Sequence, residues 1–252
     1  MLRNKMGCIL DKTAYEWEIM VNSFDVDRYN RLKLSSLLKF HQEIGERHLN
    51  EFGTSSDYMI NDLNLAFIFT KIKVAVTRLP SQAEKVKLTT WCSELKGIRF
   101  YRNYRLQAEN GDILTETKAE VIVIDLKDRK PVRPNSITGF EDFLYNTELE
   151  NSCEKPQKLS VPDKICKTII RPIRFSDIDR NGHVNNTIYA DISLDCLEDE
   201  ALKQSIKSFE INFINEVLPN ENLELSVFKE NNEFFILGKT SENHSFTSKI
   251  TF

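Results

Sequence analysis

The sequence predicts an α+β fold built from two tandem units, each a long helix packed on an antiparallel sheet. Three observations carry this. The order strand, helix, four strands occurs twice along the 252 residues. The two strings share a short match at the same place, just before the helix: Asp25-Val26-Asp27-Arg28 and Asp177-Ile178-Asp179-Arg180. Between them lies a stretch, 128–164, rich in Pro, Asn, Ser and charge and poor in periodicity, which reads as a connector with one short helix. The division expected is therefore 1–127, a connector over 128–164, and 165–252.

In chain order, AYEWEIMVNSF (14–24) is strand-like. From Arg31 to Phe52 the residues Leu34, Leu37, Leu38, His41, Ile44, His48 and Phe52 recur at three- and four-residue spacing, one face of a helix. Gly53 is a fitting C-terminal stop. Four strands follow: LAFIFTKIKVAVTRL, KVKLTTWCSEL, RFYRNYRLQAE and ILTETKAEVIVIDL. Gly97 and Asn110-Gly111 punctuate them as hairpin turns. In the second unit KTIIRPIRFS leads to a helix over about Val184–Leu197. Then come IKSFEINFINEV, NLELSVFKE, EFFILGKTS and HSFTSKITF, with Asn231-Asn232 and Glu242-Asn243 at turns.

A long helix beside a curved antiparallel sheet buries its apolar face against that sheet. Two such units side by side give one continuous sheet with two central helices, the double hot-dog architecture. The groove between helices and sheet suits an extended apolar chain.

Composition narrows the function classes. Hydrophobic residues make up 40% and charged residues 29%, ordinary for a globular chain with a sizeable core. The formal net charge of -4 argues against nucleic-acid binding, which needs a basic footprint. The densest apolar run, Leu63 to Phe69, is interrupted by Asn64 and falls far short of the roughly 20 residues that span a bilayer. The N-terminal MLRNKMGCILDK has no sustained apolar stretch and reads as neither secretory signal nor transit peptide, so a cytoplasmic location is expected. The five cysteines, at 8, 92, 153, 166 and 196, show neither CxxC spacing nor nearby histidines. They read as reduced thiols rather than a disulfide framework or zinc site.

The stretch that carries chemistry is Phe175 to Asn186. It packs Asp177, Asp179, Asn181, His183, Asn185 and Asn186 directly before a helix. Helix capping accounts for one or two such polar groups, not for six. Here the chain resembles the acyl-ACP thioesterases, the fatty-acyl thioesterases of plastids and their bacterial relatives. The family has an Asp-x-Asn-x-His-Val-Asn-Asn motif, and this chain reads Asp179-Arg-Asn181-Gly-His183-Val184-Asn185-Asn186. Thr90-Trp91, Arg102, Gly111 and the run from Val123 through Asp125, Arg129, Pro131 and Arg133 also fall where similar residues recur. The resemblance covers nearly the whole chain from about Trp17. The family places a further carboxylate on a strand after the second helix, which implies Glu216. In the plant enzymes a cysteine follows that glutamate; Val217 stands here, which rules out a cysteine nucleophile at that position. Cys196 reads as core.

The resemblance implies hydrolysis of the thioester of fatty acyl-acyl carrier protein, releasing free fatty acid, with neither metal nor cofactor. Glu216 or Asp179 is the expected general base, Asn181 orients the water or the carboxylate, and His183 bonds the sulfur or carbonyl and shuttles the proton. A covalent acyl-carboxylate route stays open. Backbone N–H groups of Gly182, His183 and Val184, placed at a helix N-terminus, are expected to receive the oxyanion. Asn185 and Asn186 complete the motif.

The first unit reads Asp25-Val-Asp27-Arg28-Tyr29-Asn30-Arg31, without the histidine, so one site per chain is expected and the first unit shapes the acyl pocket. His41 and His48 read as core or pocket residues rather than metal ligands. Trp91, Phe67, Phe69, Phe100 and Tyr104 divide between core and tunnel. Lys71, Lys73, Arg99, Arg102 and Arg105 form either a solvated face or a docking patch for an acidic carrier protein. The competing readings are an acyl-CoA thioesterase on the same site, a hot-dog dehydratase or hydratase, and a non-catalytic acyl-binding protein. The motif disfavours the dehydratase, and the intact polar set argues against mere binding. The expected partner is acyl carrier protein bearing a fatty acyl chain, with no nucleic acid, no stable membrane insertion, and a monomer or homodimer.

Overall fold

In the first unit the strands are β1 (Cys8–Ile9), β2 (Ala14–Met20), β3 (Leu65–Val76), β4 (Lys85–Lys96), β5 (Arg99–Ala108), β6 (Ile113–Asp125) and β7 (Pro131–Val132), with helices α1 (Leu34–Glu51) and α2 (Ser56–Asn61). In the second they are β8 (Ile165–Pro172), β9 (Ser208–Phe213), β10 (Asn222–Glu230), β11 (Glu233–Lys239) and β12 (His244–Thr251), with α3 (Ile188–Asp195) and α4 (Asp199–Leu202). The computed structural model describes residues 8–9, 13–51, 53–137 and 145–252. Phe52, most of the N-terminal stretch read for targeting signals, and 138–144 of the connector lie outside them.

The strands form one sheet in the order β1-β2-β4-β5-β6-β3-β9-β12-β11-β10-β8, with β7 on β6. Read outward from the centre, β3-β6-β5-β4-β2 mirrors β9-β12-β11-β10-β8. The units join through antiparallel β3 and β9, in register from Lys71↔Asn212 to Ala75↔Ser208. This is the double hot-dog expected from the duplicated element order.

Helix α1 lays its Leu34, Leu37, Leu38, His41, Ile44 and His48 face on the sheet, as its three- and four-residue spacing requires. It also meets α3. One apolar cluster runs through both units, from Leu37, Val74 and Leu106 to Ile192, Phe209 and Phe246. A smaller one lies around Met59, Phe100 and Val123.

The second helix differs from expectation. It was expected to start near Val184 but starts at Ile188. Val184 instead pairs with Ile178 in an isolated antiparallel bridge. The Asn185 side chain then accepts the Thr187 N–H at 2.9 Å and its hydroxyl at 2.7 Å, which sets the helix start by local side-chain bonding.

The connector is a strap across the sheet. The Asn146 N–H donates to the Cys92 carbonyl at 2.8 Å. The Ser152 N–H donates to Glu116 at 2.9 Å, and the Leu159 N–H to the Asn212 side chain at 2.8 Å. Among its described residues the helical element is a single 3-10 turn, Pro134–Ser136.

Candidate active site

The duplication extends to individual bonds. In the second unit the Asp179 N–H donates to the His183 carbonyl at 3.0 Å, Gly182 to Asp179 at 3.1 Å, Asn185 to Asp177 at 2.9 Å and Val184 to Val217 at 2.9 Å. In the first, Asp27 donates to Arg31 at 2.8 Å, Asn30 to Asp27 at 2.9 Å, Lys33 to Asp25 at 2.9 Å and Leu32 to Pro80 at 2.8 Å. The loops are therefore superposable residue by residue. Gly182 (φ 86°) and Asn30 (φ 59°) occupy the same left-handed position, which closes a type I turn with a one-residue bulge. By this correspondence Arg31 stands where His183 does, and Leu79 where Glu216 does.

The two loops diverge in what they bind. Arg31 forks onto Asp27 at 2.8 and 3.0 Å and also donates to the Leu202 and Gln204 carbonyls, each at 2.8 Å. That plugs the first loop against the end of α4. In the second loop Asp179 accepts the Asn181 N–H at 2.8 Å. His183 Nδ1 lies 3.8 Å from Asp179, beyond direct hydrogen bonding. The same nitrogen lies 3.4 Å from the Val184 carbonyl. A carbonyl only accepts, so this pairing favours the tautomer with Nδ1–H and leaves Nε2 as the basic nitrogen.

Asp177 anchors the loop. Arg171 grips it with two bonds of 2.8 and 2.9 Å, and the Arg174 N–H adds one at 2.8 Å. Burial alone would raise its carboxyl; the Arg171 and Arg174 interactions outweigh that and hold it below the ordinary range. A carboxylate depressed in the folded state stabilises above its unfolded pKa, and the contribution disappears as pH falls through the folded value. Asp177→Asn is expected to cost about 3 kcal/mol near neutral pH and to flatten the acid limb of stability. Urea unfolding of both forms at neutral and acidic pH measures this.

A cavity of about 1220 Å³ opens between the units. Leu38, Phe67, Phe69, Ile72, Phe100 and Val121 of the first unit line it with apolar surface. Asp179, Asn181, His183, Val184, Asn185, Asn186 and Glu216 of the second also line it. The tertiary fold thus brings the expected polar set to one apolar cavity. Of the aromatic residues considered from sequence, Tyr104 also lines the cavity, whereas Trp91 is core.

Several placements differ from the sequence reading. Gly182 and Val184 are not at the helix terminus, and their N–H groups are spent on Asp179 and Val217. Neither is a free oxyanion donor, and Gly182 is not part of the cavity wall. The His183 N–H has no partner among the described residues. Glu216 lies in the loop after β9 rather than on a strand, because β9 ends at Phe213 and the Ile214 and Asn215 N–H groups turn onto the Ser245 carbonyl. It pairs with Arg129 of the first unit at 3.1 and 3.3 Å, a partner that sequence could not reveal. The five basic strand positions considered from sequence are paired or buried among the described residues. Lys71 and Arg99 meet Glu120, Lys73 meets Glu154, Arg105 meets Glu116, and Arg102 is buried.

Arg102 donates to His48 Nδ1 at 2.9 Å. A guanidinium only donates, so that imidazole nitrogen accepts. Burial pushes the His41 imidazole down to about 3, and its ring stacks on Tyr104 with centroids 4.2 Å apart. Both histidines are buried on the sheet-facing side of α1, and His41 also lines the cavity. Among the described residues no group of three or more His, Cys, Asp or Glu is placed to hold a metal ion.

Family models described as the acyl-ACP thioesterase N-terminal and C-terminal domains match residues 11–137 and 164–250. A chloroplastic palmitoyl-acyl carrier protein thioesterase of Gossypium hirsutum is 25% identical over 193 residues, covering 72% of this chain and 46% of its own length. A chloroplastic oleoyl-acyl carrier protein thioesterase of Arabidopsis thaliana is 21% identical over 207 residues, covering 76% and 56%. The chain spans about half the length of the curated relatives it matches. Among solved structures, an acyl-ACP thioesterase from Bacteroides thetaiotaomicron superposes with a TM-score of 0.85 at 23% identity, covering 95% of this chain and 98% of that one. The 12:0-ACP thioesterase from Umbellularia californica gives 0.82 at 18% identity, covering 97% and 98%. At these identities the structural likeness shows the fold.

Proposed function

The chain belongs to the acyl-ACP thioesterase family, and from that premise we propose that it hydrolyses fatty acyl-acyl carrier protein, releasing free fatty acid and ending chain elongation. One observation carries the reading: a single cavity has apolar walls from the first unit and Asp179, Asn181, His183 and Glu216 from the second. An acyl chain enters the apolar part and leaves its thioester at the polar rim.

Thioester hydrolysis breaks C–S, forms C–O and moves protons. A carboxylate, Glu216 or Asp179, takes a proton from water as the water oxygen bonds to the carbonyl carbon. Asn181 orients that water. The electron pair displaced onto the carbonyl oxygen then returns, the C–S bond breaks, and the sulfur is protonated through His183. The products are the carboxylic acid and the carrier thiol. Arg129, in the loop between β6 and β7, pairs with Glu216.

The first unit shapes the pocket and the second carries the chemistry, which agrees with the Arg31 plug in the first loop. Acyl carrier protein is the partner in this reading. A cytoplasmic location fits the four described cysteines, Cys92, Cys153, Cys166 and Cys196, which are all free thiols. No helix among the described residues is long and apolar enough to cross a membrane.

The test is turnover of an acyl-ACP length series beside the matching acyl-CoA series. Higher kcat/KM on acyl-ACP at every length accepted is the expected result. Preference for acyl-CoA would reassign the substrate. Acyl-ACP binding without turnover would make the protein an acyl-binding module and overturn the reading.

A further inference from the structure

Hydrolysis at this site needs hydrogen-bond donors for the carbonyl oxygen. The Gly182 and Val184 N–H groups are already bonded elsewhere, the His183 N–H is left, and a donor besides that one backbone group has to come from a side chain of the cavity wall. We propose that the hydroxyl of Tyr189 is that donor: a catalytic residue that bonds the thioester carbonyl oxygen and stabilises the charge that develops there. The inference rests on the thioester-hydrolase reading.

Tyr189 is the second residue of α3. It is 3% exposed yet forms part of the cavity wall, together with His183 and Glu216. Its ring is locked from two sides. Phe246 meets it with centroids 4.9 Å apart at 63°, and Phe213 at 5.7 Å and 73°. Phe213 ends β9, directly before the loop that carries Glu216. The ring is thus fixed by the same strand end that positions the carboxylate.

The hydroxyl has no hydrogen-bond partner among the described residues, nor is it one of the sealed polar atoms of the core. A buried hydroxyl normally finds a partner; here the cavity is the place left for one. The contrast with Ser193, one turn later on the same helix, is direct. Its hydroxyl bonds the Tyr189 carbonyl at 2.7 Å and Ser248 at 2.7 Å. Tyr189 keeps its proton at neutral pH: burial raises its pKa, and the negative charges of Glu216, Glu221 and Asp179 raise it further. It is therefore a donor and not a phenolate. It also lies within electrostatic reach of both carboxylates assigned to water activation.

In the reaction the Tyr189 O–H bond stays intact. The hydroxyl donates a hydrogen bond while water adds and the carbonyl electron pair moves onto oxygen. The bond strengthens with that charge and relaxes when the pair returns and C–S breaks.

Tyr189→Phe keeps the ring and its packing and removes only the hydroxyl. The expected result is a kcat on acyl-ACP lower by about 100-fold, with little change in KM, in the shape of the pH–rate profile or in thermal midpoint. Unchanged kcat overturns the proposal, as does a loss confined to KM, which would make the hydroxyl a ground-state binding group. Loss of one limb of the pH profile also overturns it, because Tyr189 would then transfer a proton. A 3-fluorotyrosine at position 189 keeps both ring and hydroxyl and changes donor strength alone. A kcat indifferent to it counts against the proposal even if the phenylalanine variant folds poorly. Wild-type protein without turnover would remove the hydrolase reading itself; wild type turning over at the rate of Tyr189→Phe would remove only the Tyr189 assignment.

Discussion

His183→Ala is expected to lower kcat on acyl-ACP by about 10²–10⁴-fold, the range that a positioned acid–base group supplies, with the fold intact. The side chain lines the cavity, and its ring makes one long contact to the Val184 carbonyl at 3.4 Å and stands 3.8 Å from Asp179, so its removal leaves no buried hydrogen-bond partner unpaired. Asp179→Asn and Glu216→Gln are expected to lose kcat as well. The double variant separates their roles. If one carboxylate is the base and the other acts through it, the losses combine to less than their product. Steady-state rates on acyl-ACP, with circular dichroism to confirm folding, measure this. Near wild-type turnover in all three would end the assignment.

The first unit provides an internal control. Arg31→His restores the missing imidazole at the matched position, yet no second activity is expected. Leu79 stands where Glu216 does. The loop also faces α4, where Arg28 and Tyr29 both bond Asp199, at 2.9 and 3.1 Å. A loss of stability is expected instead, because Asp27, Leu202 and Gln204 lose the Arg31 donors. The corresponding cross-unit contact of the active loop is a single exposed pair, Arg180 to Asp57 at 2.9 Å on α2, which leaves the loop facing the cavity.

Gly238→Ala is expected to lower stability by about 3 kcal/mol, equivalent to a thermal midpoint lower by on the order of 10 °C. Gly238 on β11 is paired with Phe246 on β12. A Cβ built at 238 would overlap Phe246 Cε1 and lie 2.6 Å from Cδ1. These are ring atoms of a fully buried side chain, so no flexible end can swing aside. The ring must shift, and it also packs edge-on against Tyr189. Reduced kcat is therefore expected to accompany reduced stability. Phe246→Leu in the Gly238→Ala background relieves the collision and should recover part of the loss. Urea midpoints at constant m-value measure both effects. A Gly238→Ala protein as stable as wild type would mean that the β11–β12 packing is looser than the structure shows.

Much of the fold was legible because its signals are local. The face from Leu34 to His48 announces α1, and alternation punctuated by Gly97, Asn110-Gly111, Asn231-Asn232 and Glu242-Asn243 announces the hairpins of both units. The second helix was misjudged by four residues at its start. Val184 is apolar and sits at helical spacing, but its N–H bonds Val217, 33 positions away by subtraction of their numbers, and a distant backbone partner leaves no trace in local periodicity. Glu216 was recognised as a residue but placed on a strand, since FEINFINEV alternates beyond the point where Ser245 turns the backbone away. The five basic strand positions looked available because their carboxylate partners and the buried site of Arg102 come from other strands and from the connector.

By itself the sequence determined the duplicated element order, the α+β class, the family resemblance and the polar set around His183, because spacing, turn chemistry and a contiguous motif are properties of neighbouring residues. Only the tertiary structure decided which backbone donors are spent, that Arg129 pairs with Glu216, that the basic strand residues meet carboxylates or are buried, and that Tyr189 lines the cavity with a hydroxyl bonded to none of the described residues. Each of these depends on pairing between groups far apart in the chain. Hydrogen bonds, ion pairs and burial are set by where the backbone returns in space, and that return is what folding adds to the sequence.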